Sequence, residues 1–343
     1  MRVFLYEWVT GGGLAGVAGR LPESLLREGL AMVQAVAADL LQTPGYRVTL
    51  MGDLRVPQLA AGGGEVGWID SRSEHDIQFA QAAQSADATI LIAPETDQAL
   101  FVAVQAAEKY GARLASPGSA LVAVVSDKHE TAERLIAAGV PAPLGRVLDS
   151  DASLPGGFPY PAVVKPLDGA GSQDCYVVAS SLDRPPAYAF PRRIEPIVPG
   201  LPASVGILVG NGEMITLPPC RQVLSSDGRL QYLGGACPLP GPLAERASGL
   251  ARRAVEALPP GVGFIGVDLV LGPDPSGLGD RVIEVNPRLT TSFVGLRYLC
   301  QDGLAAAMVE TALGRPRRPT FSRRSIEFDS AGMVSFLDDG RSA

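Results

Sequence analysis

The stretch that most constrains this chain is Gly263 to Ser292, GFIGVDLVLGPDPSGLGDRVIEVNPRLTTS. Two runs of strand-forming residues, Phe264 to Leu271 and Arg281 to Val285, flank a Gly/Pro/Asp-rich turn, which is the pattern of an antiparallel hairpin. With Gly272 and Asp280 closing the turn, Asp268 falls opposite Glu284. Asn286, two residues along the strand, shares their face. Like charges directly across a strand pair are destabilising unless a cation lies between them. Burial among Val, Ile and Leu makes an unpaired charge costlier still. Oxygen-only donors suit a hard divalent cation such as magnesium, which takes its remaining oxygens from water and phosphate. Arg288 follows, and its guanidinium suits bidentate capture of a phosphoryl or carboxylate oxygen.

Phosphate-binding chemistry is also legible upstream. PAVVKP, Pro161 to Pro166, reads as an apolar strand carrying Lys165. It runs into Asp168-Gly169-Ala170-Gly171-Ser172-Gln173-Asp174, ahead of a second strand from Cys175 to Ala179. Small residues there let backbone N–H groups approach phosphate oxygens, with Lys165 adding fixed charge. The loop lacks the GK[ST] ending of a Walker loop. Asp127 caps a helix that opens on Lys128, with Glu130 three residues beyond the cap and Gly139 and Pro141 ending it. A lysine in a first turn opposes the helix dipole, and a bound phosphate would remove that conflict. Taken alone, Lys128 reads as a surface lysine.

Up to about residue 116 strands alternate with helices: Val3 to Tyr6, helix Glu23 to Leu41, Arg47 to Met51, Val66 to Ile69, helix Asp76 to Ser85, Ala88 to Ala93, helix Leu100 to Tyr110, and Arg113 to Ser116. That order implies a small parallel sheet, whose ligands bind beyond the carboxyl ends of strands. Glu7, Thr10 and Glu95 sit at such ends. Gly11 to Gly16, GGGLAG, matches a dinucleotide fingerprint only formally, because Glu7 to Thr10 separate it from the strand and the helix starts near Pro22. The expectation is instead a mobile loop, with Glu7, Thr10, Gly11 and Gly12 as candidate substrate contacts. Further on, helices are expected at Leu250 to Leu258 and Leu304 to Leu313, and the stretch from Ile326 to Leu337 either adds a strand or stays loose.

With 343 residues, 46% hydrophobic and 19% charged, the chain is globular, with two or three domains. A net charge of -7 gives no support for nucleic-acid or membrane partners, so small-molecule substrates are expected. Cys175, Cys220, Cys237 and Cys300 lack metal-ligand spacing and suggest no disulfide framework, which points to the cytoplasm. The start MRVFLYEWVTGGG does not read as a signal peptide, and no apolar run reaches membrane-spanning length. His75 and His129 are the only histidines. Neither stands in a nucleophile motif.

Lys128, Lys165 with its loop, Glu195 with its Pro-Gly turn, then Asp268, Glu284, Asn286 and Arg288 occur in the order of the ATP-grasp superfamily, which residues 117 to 313 resemble. The resemblance implies an α/β protein of α+β ATP-grasp type: a Rossmann-like parallel-sheet domain over 1-116, a small lobe over 117-190, a large lobe over 191-314 and a tail over 315-343. It further implies that Lys128, Lys165, Gly169, Gly171 and Ser172 hold the ATP phosphates. Glu195 would accept from the adenine amino group, and the Ile197-Val198 backbone would read the ring edge. Asp268, Glu284 and Asn286 would ligate two Mg2+ ions, for which Mn2+ can substitute, and Lys165, Arg221 and Arg288 would act in catalysis. The acid that binds the ribose in many members is replaced by Pro202.

VFLYEWVTGGG followed by SLLREGLAM, the Pro199 to Val205 strand and the Arg221-Gln222 pair resemble the tyramine-glutamate ligase family of methanofuran biosynthesis. That resemblance implies ATP-dependent joining of the γ-carboxylate of glutamate to tyramine, or to tyrosine in a methylofuran-type pathway, in an enzyme of a kind often dimeric. Another acid and amine pair, a carboxylase-type reaction and a non-catalytic ATP-binding module remain open.

Overall fold

The computed structural model describes residues 1–169 and 171–337, with the side chains at 61 and 62 left aside. The alternation read from the first third of the chain builds β1 (Arg2–Glu7), α1 (Glu23–Gln42), β2 (Arg47–Asp53), β3 (Glu65–Ile69), α2 (Arg72–Ser85), β4 (Ala88–Ile92) and α3 (Ala99–Lys109). The four strands pair in parallel in the order β3-β2-β1-β4. The continuous apolar run ATILI of β4 is buried along its whole length, as a parallel strand covered by helices must be. The fifth strand expected at Arg113 to Ser116 shrinks to one parallel bridge, Thr89 to Leu114.

Residues 7–16 form no mobile loop. The Gly11 N–H donates to the Glu7 carbonyl at 2.7 Å, Gly13 to Trp8 at 2.8 Å, and Asp53 to the Thr10 carbonyl at 2.6 Å. Glu7 is buried, and its carboxylate accepts from the Val9 and Thr10 N–H groups at 3.2 and 2.7 Å. Burial pushes its pKa up in spite of those bonds. The sequence signal read as flexibility was glycine content, but here the glycines serve close packing: Gly12 lies against Ile69 and His75, and Gly13 against Trp8.

Beyond the first sheet come α4 (Ser119–Val125), α5 (Lys128–Ala137), β5 (Arg146–Leu148), β6 (Ala162–Pro166), β7 (Tyr176–Val178), β8 (Arg192–Pro196), β9 (Leu201–Gly210), β10 (Glu213–Thr216), β11 (Cys220–Leu224), β12 (Tyr232–Cys237), α6 (Gly241–Glu256), β13 (Gly263–Leu271), β14 (Arg281–Asn286), α7 (Ser292–Leu299), α8 (Leu304–Ala312), β15 (Ser325–Asp329) and β16 (Val334–Leu337). Strands β5-β8-β6-β7 make a small antiparallel sheet. The large sheet runs β14-β13-β9-β11-β12-β15-β16, with β10 also on β9. The last two strands therefore extend this sheet instead of trailing as a loose end, and Ile326 and Phe328 are buried in it. Helix α6 begins well before Leu250, because the small residues Ala244, Ala247 and Ala251 continue its inward stripe and escape an apolar count that looks for Leu and Val.

One face of the large sheet is covered by α4, α5 and α6 through Ala203, Val205, Ile265, Val267 and Leu250. The other packs Leu208, Phe264 and Phe293 into a core shared with α1. Two polar contacts lock that junction: the Asp39 carboxylate accepts from the Ala305 N–H at the start of α8 at 2.6 Å, and Arg297 donates to the Ala35 carbonyl at 2.9 Å. Helix α1 thus belongs to both halves of the molecule, and it carries Glu28 to the mouth of the cleft between them.

Gly29 is where α1 meets β1. A Cβ at this position would lie 2.5 Å from the carboxyl carbon of Glu7, whose oxygens are pinned by backbone bonds. Gly29→Ala is expected to cost about 1–3 kcal/mol in denaturant unfolding, and less in a Glu7→Ala background, since overpacking is relieved when the clashing group goes.

Candidate active site

The hairpin of β13 and β14 places Asp268 opposite Glu284 and Asn286 opposite Gly266. Just beyond the acid pair the register slips: Leu269 faces Val282, so Ile283 is the extra residue of a bulge and the even pairing down to Gly272 and Asp280 is broken. Asp280 instead turns its carboxylate back on the turn, accepting from the Gly272 N–H at 2.8 Å.

Asp268 accepts from Gln222 Nε2 at 2.9 Å and Asn286 Nδ2 at 3.1 Å. Burial, reinforced by the charge of Glu284, pushes its pKa up to about 6 even though Ser204, Asn286 and Arg288 pull it down. Burial would raise Glu284 too, but Lys128 and Lys165 outweigh it and hold that carboxyl below its ordinary value. Lys128 Nζ lies 2.8 Å from Glu284 Oε1 and donates to the Gly169 carbonyl at 2.7 Å. It is a cleft residue, not a surface lysine. The acid pair carries more negative charge than Lys128 neutralises, and its donors are all oxygens once the Asn286 amide is turned over to present Oδ1. These residues fit a hard divalent cation. No three His, Cys, Asp or Glu side chains cluster for metal binding among the described residues. A cation here would therefore complete its shell with phosphate and water oxygens.

The small sheet closes the opposite wall. Lys165 donates to Glu195 Oε1 at 2.5 Å, and Arg193 Nε donates to Glu195 Oε2 at 2.8 Å. Arg193 is fully buried and also reaches His129 Nδ1 at 2.5 Å and the Pro143 carbonyl at 2.8 Å. Both oxygens of Glu195 are thus engaged. It is the anion that fixes Lys165, and since each carboxylate oxygen carries two lone pairs, these bonds leave it able to accept from an adenine amino group as well. The Ile197 N–H is likewise taken, by the Pro161 carbonyl at 3.0 Å. Because backbone groups alternate sides along a strand, the Pro196 carbonyl and the Val198 N–H point away from β6 and remain available. Arg193 and His129 were missed by sequence reading. The only signal was an Arg two residues before Glu195, on the same strand face.

Gly169, Gly171 and Ser172 line the cleft with Lys128 and Lys165, and φ is positive at Gly169, Gly171, Ser172 and Asp174. Residue 170 lies outside the described residues. Arg288 is clasped by Glu95 from the end of β4, through Nε at 3.0 and 3.2 Å and NH2 at 3.1 Å. Its expected role as a free phosphoryl clamp is therefore changed: most of its fork is spent on tying the first domain to the metal hairpin. Arg221 is exposed. Gln222, not Arg221, donates to Asp268, while Arg221 still lines the cleft. It does not join the carboxylates. Glu7, Thr10, Gly11 and Gly12 are buried in the first domain and do not line the cleft of about 270 Å3 that holds the other site residues, whereas Glu28 does.

Residues 125–292 match the ATP-grasp domain family, and residues 46–122 match the pre ATP-grasp 3 domain. The chain is an ATP-grasp protein. It is 25% identical over 227 residues to the tyramine–L-glutamate ligase of Methanocaldococcus fervens, covering 66% of each chain, so the match spans about two thirds of that relative's length. Among solved structures, an ATP-grasp superfamily protein from Archaeoglobus fulgidus superposes with a TM-score of 0.71 at 23% identity, covering 96% of this chain and 92% of the other. An N5-carboxyaminoimidazole ribonucleotide synthetase in complex with ADP gives 0.70 at 18% identity, covering 95% and 80%. The ATP-grasp protein thus has carbon–nitrogen-bond-forming ligases among its relatives, and the superpositions bear out the fold: a parallel-sheet domain followed by antiparallel lobes. Among its described residues, no helix is long and apolar enough to cross a membrane.

The buried chain Lys165–Glu195–Arg193 makes a stability prediction. Arg193→Met leaves a buried carboxylate with one cation instead of two. It is expected to lower stability by about 3–5 kcal/mol in chemical denaturation.

Proposed function

We propose that the protein is an ATP-dependent carboxylate–amine ligase that joins the γ-carboxylate of glutamate to tyramine or tyrosine through an acyl phosphate, in methanofuran- or methylofuran-type cofactor biosynthesis. The observation that carries the reading is the acid pair Asp268 and Glu284 facing Lys128 and Lys165 across one cleft. Such a cleft offers oxygen donors for divalent cations and fixed cations for phosphates side by side. The similarity to a tyramine–L-glutamate ligase supplies the substrate pair.

In this reading adenine lies at the apolar end of the cleft, near Val163, Ile197, Leu269 and Ile283. Its amino group donates to the Pro196 carbonyl, and the Val198 N–H donates to the ring. With Pro202 in place of the usual acid, the ribose hydroxyls have no carboxylate partner there. Lys128 and Lys165 hold the phosphates under the loop from Asp168 to Asp174. Asp268, Glu284 and Asn286 would hold two magnesium ions, which supply charge neutralisation on the phosphate oxygens. Lys128 then leaves Glu284 for phosphate, which removes the ammonium now standing beside that carboxylate.

A carboxylate oxygen of glutamate attacks the γ-phosphorus and ADP departs. The amine nitrogen then attacks the acyl carbon, forming the C–N bond while the C–O bond to phosphate breaks. The residues contribute by positioning and charge, because neither the Ser nor the Cys side chains form a nucleophile motif. Arg288, oriented by Glu95 and by its bond to the Leu289 carbonyl, lines the cleft.

The test is ADP release from magnesium-ATP and glutamate with tyramine, with tyrosine and without amine, followed by mass spectrometry of the product. A γ-glutamyl amide that appears only with one amine is the expected result. Glu284→Gln should reduce turnover by at least about a thousandfold, the scale of losing an essential electrostatic stabiliser. Near-normal rates in that variant would remove the acid pair from the mechanism.

A further inference from the structure

Glu28 is the unused group at the site. It projects from α1 into the cleft wall, opposite the carboxylate hairpin, and among the described residues no cation lies within ion-pair distance of its carboxylate. Arg288 is the cation facing it from β14's end, but the guanidinium is claimed by Glu95. The remaining charged neighbour is Arg27, adjacent on the same helix and exposed. Burial pushes the Glu28 carboxyl up against the weak pull of both arginines. A half-buried acid that faces a substrate chamber and lacks a partner lowers its energy when a cation arrives with the substrate.

The surroundings say what carries that cation. A second depression of about 170 Å3 opens on the outer side of Glu28, and it shares Glu28, Tyr232 and the loop residues Gly171, Ser172, Gln173 and Cys175 with the main cleft. Its outer walls are Tyr176, Arg27 and Arg229, with the Arg229 guanidinium 5.6 Å from the Tyr176 ring centre. Glu28 and Tyr232 therefore stand at a throat. On one side are Lys128, Lys165 and the acid pair, and on the other is a largely polar vestibule that carries the Tyr176 ring.

We propose that this throat is the entry and binding site of the amine substrate, with Glu28 accepting hydrogen bonds from its primary ammonium and Tyr232 and Tyr176 flanking its aromatic ring. The inference deepens the ligase reading and rests on it for the identity of the reaction. The nitrogen at Glu28 faces the chamber where the acyl phosphate forms. The ammonium passes one proton to the Glu28 carboxylate, and the free amine attacks the acyl carbon. The second nitrogen proton leaves with phosphate as the C–O bond breaks, so the products are the amide and hydrogen phosphate.

Binding measured without turnover tests this separately from the ligase reading. Tyramine is titrated by calorimetry into wild-type protein, Glu28→Gln and Glu28→Ala, each saturated with magnesium and a non-hydrolysable ATP analogue. The expected result is binding to wild type that weakens about ten- to a hundredfold in both variants, the loss typical of one charge-assisted hydrogen-bonded pair. Glutamate and nucleotide affinities should stay unchanged. Equal tyramine affinity in all three proteins, no tyramine binding to wild type, or a loss that falls on glutamate instead would each overturn the proposal. ADP release by the wild-type enzyme decides the ligase reading on its own: tyramine that binds through Glu28 without driving turnover would sink the reaction and keep the site.

Discussion

Two partly buried carboxylates placed directly across an antiparallel pair are an unstable arrangement, and the site is built around relieving it. Asp268 and Glu284 repel each other, which is why burial and mutual charge lift Asp268 while Lys128 is drawn onto Glu284. Each surrounding element supplies part of the compensation: α5 supplies Lys128 through the Asp127 cap, β11 supplies Gln222, and β14 supplies Asn286. None of these donors is a second full charge. The pair therefore keeps an appetite for cations that a hydrophobic hairpin of the same shape would not have. For the proposed ligase this would be useful, because the fold itself would hold the metal site open.

The small lobe applies the same logic in a different form. Lys165 is buried with Glu195, and Glu195 is buried with Arg193, so the triad has one more cation than anions and is sealed from water. Its surplus positive charge faces the chamber from Lys165. Arg193 holds the glutamate, the glutamate holds Lys165, and Lys165 lines the chamber. The clasp of Arg288 by Glu95 performs a third version across the two domains, fixing the end of β4 to the hairpin that carries the acid pair. Movement of one domain relative to the other would have to break a buried bidentate ion pair. Helix α1, packed into both halves, reinforces that constraint and sets where Glu28 stands.

Much of this was legible from residue order. The parallel first domain follows from strand and helix runs of the right length, and the opposition of Asp268 and Glu284 follows from a hairpin turn and a period of two. The family motifs are local, so they survive without tertiary context. The readings that failed did so where a residue's role depends on its partner. Nothing local shows that Lys165 and Arg193 both pair with Glu195, or that Gln222 and not Arg221 donates to Asp268. The glycines at 11 to 13 looked loose because composition does not distinguish glycine that permits motion from glycine that permits contact.

By itself the sequence determined the architecture, the candidate site residues and the chemistry their oxygens and ammonium groups would allow, because those depend on periodicity, turn composition and spacing within short segments. Only the tertiary structure decided which charges are spent on one another. Residues far apart in the chain, Glu95 and Arg288 or Lys128 and Glu284, neutralise each other at contact distance, and Coulomb energy in a buried site falls steeply with a separation that no linear pattern records. For the same reason Glu28 gained significance only from the folded chain: what marks it is that no cation among the described residues lies within ion-pair reach, and that is a property of three-dimensional distance.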